Sequence, residues 1–117
     1  MNALLKIEEL GLLLFGVFLF EQTDLSWWWF FGLILTPDIG MLGYLFGNRV
    51  GAYSYNLFHH RGVAIFIYLI GLVLFRSMVL EVIGIIMFSH IAMDRVFGYG
   101  LKYNKGFKFT HLGEVGK

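Results

Sequence analysis

The stretch that decides the fold is "VIGIIMFSHIAMDRVFG", residues 82–98. Its first half is the apolar run of a membrane-spanning helix, yet it carries His90, followed by Asp94 one helical turn later. Residues four apart stack on one helix face, so the two form a single polar stripe on an otherwise greasy rod. Started at Met78, the segment reaches the roughly 20 residues that a hydrocarbon core demands. A charged side chain near the centre of a membrane helix costs about 2.5–3.5 kcal/mol on insertion scales, so such residues face the bundle interior. His90 and Asp94 therefore predict partners on neighbouring helices.

The rest of the chain fits that reading. Its 117 residues are 58% hydrophobic and 19% aromatic, with only 15% charged, against about 25% charged in ordinary soluble domains. Mean hydropathy is +0.72. The expectation is an all-α polytopic membrane protein, a four-transmembrane-helix bundle forming one domain over residues 1–117. Its spans fall near residues 4–20, 27–46, 59–75 and 78–97, with a short amphipathic surface tail over 98–117. A large extramembrane catalytic domain has no room. The chain has no cysteine, which excludes disulfides and thiolate metal ligands.

Four spans put both termini and the second connection on one side. That side collects Lys6, Arg49, Arg61, Arg95, Lys102, Lys105, Lys108 and Lys117, and the other has Arg76 alone. The positive-inside rule then predicts a multi-pass cell-membrane protein with both termini cytoplasmic. Trp27, Trp28, Trp29, Tyr53 and Tyr55 read as interfacial anchors. "GNRVGAYSYNLFHHRG", residues 47–62, lacks an apolar run and reads as a loop or re-entrant connection. The series Gly43, Gly47, Gly51 reads as a close-packing face, available to a second copy in a homo-oligomer. The tail lysines among Tyr103, Phe107 and Phe109 read as contacts to membrane lipids and anionic headgroups, with no nucleic-acid partner expected.

Depth along the helices brings the polar residues together. At about 1.5 Å per residue, Asp38 and His90 both fall roughly 12–14 Å inside the cytoplasmic surface. His59, His60 and Arg61 open the third span from the same side. Histidine and aspartate one turn apart, joined by a carboxylate and a histidine from other helices, is how bundles build metal sites. The candidate ligands are Asp38, His59, His60, His90 and Asp94, for a divalent ion such as Zn, Mn or Fe. Asp38, His60, His90 and Asp94 with Arg61 and Arg95 form the candidate catalytic set, the arginines to hold a phosphate or carboxylate. Pro37 is expected to kink the second span and free a carbonyl near Asp38. His111 is a candidate only if the tail folds back. The competing reading is structural: the same residues pair with one another and pin the bundle.

Taken together, "TPDIGMLGY", "NLFHHRG", "SHIAMDRVFGYGLKY" and "FKFTHLG" resemble an uncharacterised domain-of-unknown-function family of small bacterial integral membrane proteins. That resemblance implies four membrane helices and no particular activity. A fainter similarity is to the membrane-bound metal-dependent hydrolases, whose motifs are matched by Pro37 and Asp38, by His60, Arg61 and Gly62, and by His90 and Asp94. Gly40 stands where that family has a second aspartate, and Ala64, Ile65 and Phe66 replace its Thr-His-Ser. The similarity implies a metal-dependent hydrolase acting on a lipid or lipid-linked phosphate. Two other classes stay open: proton- or ion-coupled transport by an oligomer, and a structural or partner-binding subunit without catalysis.

Overall fold

The structure, a computed structural model, describes residues 3–97, 109–110 and 113–114. Helices α1 (Ala3–Glu21) and α5 (Met78–Val96) are each 19 residues long, about 28 Å at the α-helical rise. They pack along one another at the centre of the molecule. Between them come α2 (Trp27–Leu33), a 3-10 helix (Thr36–Phe46), α3 (Asn48–Phe58) and α4 (Arg61–Leu69), which continues into a π-helical segment, Ile70–Leu74. A two-residue antiparallel ladder, β1 (Phe109–Thr110) with β2 (Gly113–Glu114), is the only strand pairing among the described residues. The protein is all-α in every other described part. The expected surface course of the tail otherwise falls outside the described residues, as do His111, Gly98 and Gly100.

Helix starts follow from capping chemistry. The Ser26 hydroxyl accepts from Trp28 N at 3.4 Å, and the Ser77 hydroxyl from Leu80 N at 3.3 Å. Each satisfies one of the amides that the first turn leaves without a helical partner. Phe20, Phe30, Ile85 and Ile86 form one core cluster, and Ala64, Met87, Phe88 and Ile91 another. Both draw on α5, which is buried continuously from Gly84 to Ala92 and packs in the first against Phe20 of α1 and Phe30 of α2 and in the second against Ala64 of α4.

Small residues let the other helices approach it. At Gly84 an added Cβ would sit 2.6 Å from the backbone nitrogen of Tyr68, and at Gly16 it would run into the Ser89 side chain. Gly84→Val is therefore expected to lower stability by about 1–3 kcal/mol through overpacking. Gly11→Ala, which meets nothing within 4 Å, is expected to be neutral or slightly stabilising by helix propensity. Thermal unfolding in detergent checks both, and equal melting temperatures for the two variants would contradict the close approach.

Among the described residues, one helical stretch, Trp27–Phe46, is long and apolar enough to cross a membrane, and its bounds are those expected of the second span. A second exists if Asn48–Phe58 and Arg61–Leu74, bent by 44° to one another, are counted as one. Helices α1 and α5 have the length, but Lys6, Glu8 and Glu9 interrupt the first, and Glu81, Asp94 and Arg95 the second.

Of the two forms expected for residues 47–62, the loop is corrected. Residues 48–58 are helix α3, in which Gly51, Ala52 and Tyr55 recur at helical spacing and are buried. The 44° bend to Arg61–Leu74 is compatible with the re-entrant form. Helix α3 forms a hairpin with the 3-10 helix across Gly47, whose φ of +114° suits a residue without Cβ. Two members of the glycine series pack closely within that hairpin. A Cβ at Gly43 would lie 2.6 Å from Ser54 Cβ, and one at Gly51 would enter the Tyr44 ring, whereas one at Gly47 would meet nothing within 4 Å.

Candidate metal centre

The centre begins with Pro37. Proline has no N–H, so the Leu33 carbonyl loses its helical donor, and the Thr36 hydroxyl donates to it instead at 2.6 Å. The chain tightens into the 3-10 helix, and Asp38 N donates to Leu35 O at 3.1 Å. In a continuous α-helix it would have used Ile34 O, four residues back. The Ile34 carbonyl is thereby released, as the sequence leads one to expect, and it accepts from His90 Nδ1 at 2.5 Å. One proline thus turns Asp38 towards α5 and supplies the acceptor that orients His90.

Helix α3 prepares the second imidazole in the same way. His59 closes α3, and its Nδ1 donates to Tyr55 O at 2.9 Å. The Tyr55 ring stacks on it, with centroids 3.8 Å apart and planes 6° from parallel. The Tyr55 hydroxyl in turn lies 3.4 Å from Asp94 Oδ2.

A carbonyl oxygen can only accept, so both Nδ1 atoms carry the proton and, in neutral imidazoles, both Nε2 atoms present bare lone pairs. These lone pairs converge. His90 Nε2 and His59 Nε2 are 3.0 Å apart. Asp38 Oδ1 is 3.0 Å from His90 Nε2 and 3.2 Å from His59 Nε2. Asp94 Oδ2 is 3.2 Å from His90 Nε2 and 3.3 Å from His59 Nε2. All four atoms lie within 4.8 Å of one another. Four acceptors at such separations repel unless a cation or protons lie among them.

The spacing fits hydrogen-bonded protons and is also compatible with a cation. Ligands about 2.0–2.2 Å from a tetrahedral metal lie roughly 3.3–3.5 Å from each other. Five of the six separations here are 3.0–3.3 Å. The group of Asp38, His59, His90 and Asp94 could hold a metal ion. Hydrogen bonds from the distal ring nitrogens to backbone carbonyls are the outer support that metal-ligating histidines ordinarily have. Side-chain exposure falls from 40% at Asp38 to 15% at Asp94, 4% at His59 and none at His90. Asp38 is thus the member on the accessible side.

The remaining candidates stand elsewhere. His60 is exposed, and its Nδ1 accepts from Val63 N at 3.2 Å, which makes it the N-cap of α4 and leaves it outside the cluster. Of the two adjacent histidines only His59 joins. Arg61 pairs with the buried Glu9 of α1 and lies over the Phe88 ring, 6.0 Å from its centroid. Arg95, half-buried, is near enough to Arg61, Glu9, Tyr55 and Asp94 for electrostatic interaction with each. The arginines form a second charged group with Glu9, beside the centre and not part of it. Tyr55, expected as a membrane anchor, instead braces His59 and Asp94; its signal is the spacing Tyr55-x-x-x-His59, the same one-turn interval as His90 to Asp94.

The fold and site define an all-α protein with a buried two-histidine, two-aspartate group competent to bind a metal. The chain belongs to the family described as Domain of unknown function (DUF4260), which matches residues 2–115. No curated protein and no solved structure matches it. The resemblance to an uncharacterised family holds, and these matches do not show the fainter similarity to metal-dependent hydrolases.

Proposed function

We propose that this is a multi-pass membrane protein of four spans, both termini cytoplasmic, whose Asp38/His59/His90/Asp94 centre holds a divalent metal and hydrolyses a lipid or lipid-linked phosphate. The observation that carries the metal reading is the convergence of two Nε2 lone pairs, their tautomers set by Ile34 O and Tyr55 O, on two carboxylate oxygens. With imidazole and carboxylate donors and no thiolate, Zn, Mn and Fe are the fitting ions.

The membrane reading draws on the inverted distribution of polarity. Leu4, Trp28, Leu45, Phe46, Val73 and Leu74 are each 70% or more exposed, whereas Glu9, His59, Ser89 and His90 are buried. In water such a surface would be an aggregation hazard; in lipid it is solvated. In this topology Lys6, near the start of α1, and Arg95, near the end of α5, fall on the side that the positive-inside rule assigns to the cytoplasm.

The chemistry assigned to the metal is to lower the pKa of a bound water. Asp38, the exposed member, opens the centre to substrate, and Arg61 and Arg95 with their single Glu9 leave a surplus positive charge for an anion. In the hydrolysis the water oxygen bonds to phosphorus, the phosphorus–oxygen bond to the lipid breaks, and a water proton passes to the leaving oxygen. Ion or proton transport is less favoured, because the lining beyond His90 towards Met78 is apolar apart from Thr36.

The test is phosphate release from single-chain lipid phosphates by protein loaded with Zn, Mn or Fe(II). Asp38→Asn is expected to lower the rate by more than about a hundredfold, and His60→Ala to leave it unchanged. Absence of release from every metal form, together with a proton flux in liposomes that Asp38→Asn abolishes, would replace the hydrolase with the transporter.

A further inference from the structure

The α5 face that presents His90 and Asp94 does not stop at the metal centre. Moving back by three and four residues it continues through Met87 and Ile86, then Ile83 and Val82, then Val79 and Met78. Two cavities lie along it, one of about 140 Å³ and one of about 380 Å³, and Leu33, Val82 and Ile83 line both. They form one groove.

The facing wall is the segment that carries Asp38. Leu25, Trp29, Leu33, Thr36 and Pro37 follow at roughly one-turn intervals. The inner end of the groove is lined by Pro37 and Phe58, each the residue immediately before a metal-centre member, and by Met87, one turn before His90. The inner end of the groove therefore lies beside the segments that carry the centre, and the groove leads away along α5.

We propose that this groove seats a single alkyl chain of a membrane lipid whose phosphate lies at the metal centre. This deepens the hydrolase reading and rests on it. From Met87 to Met78 the helical rise gives about 13 Å, which an extended chain fills with on the order of ten carbons, given carbon–carbon bonds of about 1.5 Å at tetrahedral angles. The lining is suited to methylenes: the sole polar side chain is Thr36, and its hydroxyl is already donated to Leu33 O. The direction also fits one source of lipid. With both termini cytoplasmic, the groove runs from the cytoplasmic half towards the far side, parallel to the chain of an inner-leaflet lipid, whose phosphate must move about 12–14 Å inward to reach the centre. One groove takes one chain, and a single-chain phosphate, with no second chain to hold it in the leaflet, makes that move most readily.

The experiment uses the full chain in phosphatidylcholine nanodiscs, with Trp27→Phe and Trp28→Phe leaving Trp29 as the sole tryptophan. The probes are dodecyl phosphates brominated either at the last two carbons or at carbons two and three. Expected is saturable quenching of Trp29 by the distal bromines and little by the proximal ones, since Trp29 lines the outer end. Ile83→Phe fills the segment that both cavities share and is expected to abolish the saturable component. Ile83 is 43% exposed, so the larger ring can be accommodated without unfolding; metal content is measured on the same samples. Quenching that is non-saturable and equal in both proteins would mean bulk lipid only and would overturn the proposal. Stronger quenching by proximal bromines would overturn the direction. Saturable distal quenching in protein that releases no phosphate in any metal form would keep the groove while removing the hydrolase reading, so the two fail separately.

Discussion

Replacing His90 by alanine is expected to take bound divalent metal from about one ion per chain to background, with His59→Ala doing the same and His60→Ala doing nothing. The contrast between neighbours is the informative part. His59 and His60 are adjacent in sequence, equally able to ligate, and on the same side of the bundle. Their separation rests on geometry: His59 ends α3 with Nε2 among the ligand atoms, and His60 begins α4 with Nδ1 on a backbone amide. Two carboxylates within a span cost about 2.5–3.5 kcal/mol each on insertion scales, a cost that a cation bound between them offsets. Metal analysis after dialysis against a weak chelator checks the series, and loss of metal in His60→Ala but not in His59→Ala would invert the assignment.

Pro37→Ala is expected to weaken metal binding by about 10–100-fold, the range seen when an outer-shell partner of a ligating histidine is removed. The substitution touches no ligand. It restores the amide donor at position 37, which lets the 3-10 helix wind on as α-helix and lets Asp38 N recapture Ile34 O. His90 Nδ1 then loses its acceptor, and Asp38 rotates away from α5. Because Pro37 stands in the first turn of the 3-10 helix, where proline is tolerated, the protein is expected to keep its helicity and thermal stability while losing metal. A merely destabilised variant would lose both, so paired measurement of circular dichroism and metal affinity separates the two causes.

Much of this was legible in the sequence, and the reasons differ by residue. His90 and Asp94 announce themselves through a one-turn interval inside an apolar run. Asp38 follows from its depth, and the freed carbonyl from the chemistry of Pro37. What the sequence conceals is α3. Its buried face is built from Gly51, Ala52 and Tyr55, two of them too small to register as an apolar stripe, so the segment reads as a loop. With α3 hidden, the roles of His59 and Tyr55 are hidden too, since both depend on where that helix stops. The glycine series is legible only in part for a related reason: small residues at a spacing of four signal a close approach, but spacing does not say which surface approaches. At Gly43 and Gly51 it is Ser54 and Tyr44 of this chain. The eleven-residue length of the 3-10 helix is likewise beyond what one proline, acting on its first turn, dictates.

The central claim is that one divalent ion sits among these four side chains, and X-ray absorption on the purified, metal-reconstituted protein tests it most directly. The account predicts only nitrogen and oxygen neighbours at about 2.0–2.2 Å, with the multiple-scattering pattern of two imidazoles, lost together with the metal in His59→Ala and unchanged in His60→Ala. A spectrum with no imidazole scattering, or one that His59→Ala leaves intact, would contradict it.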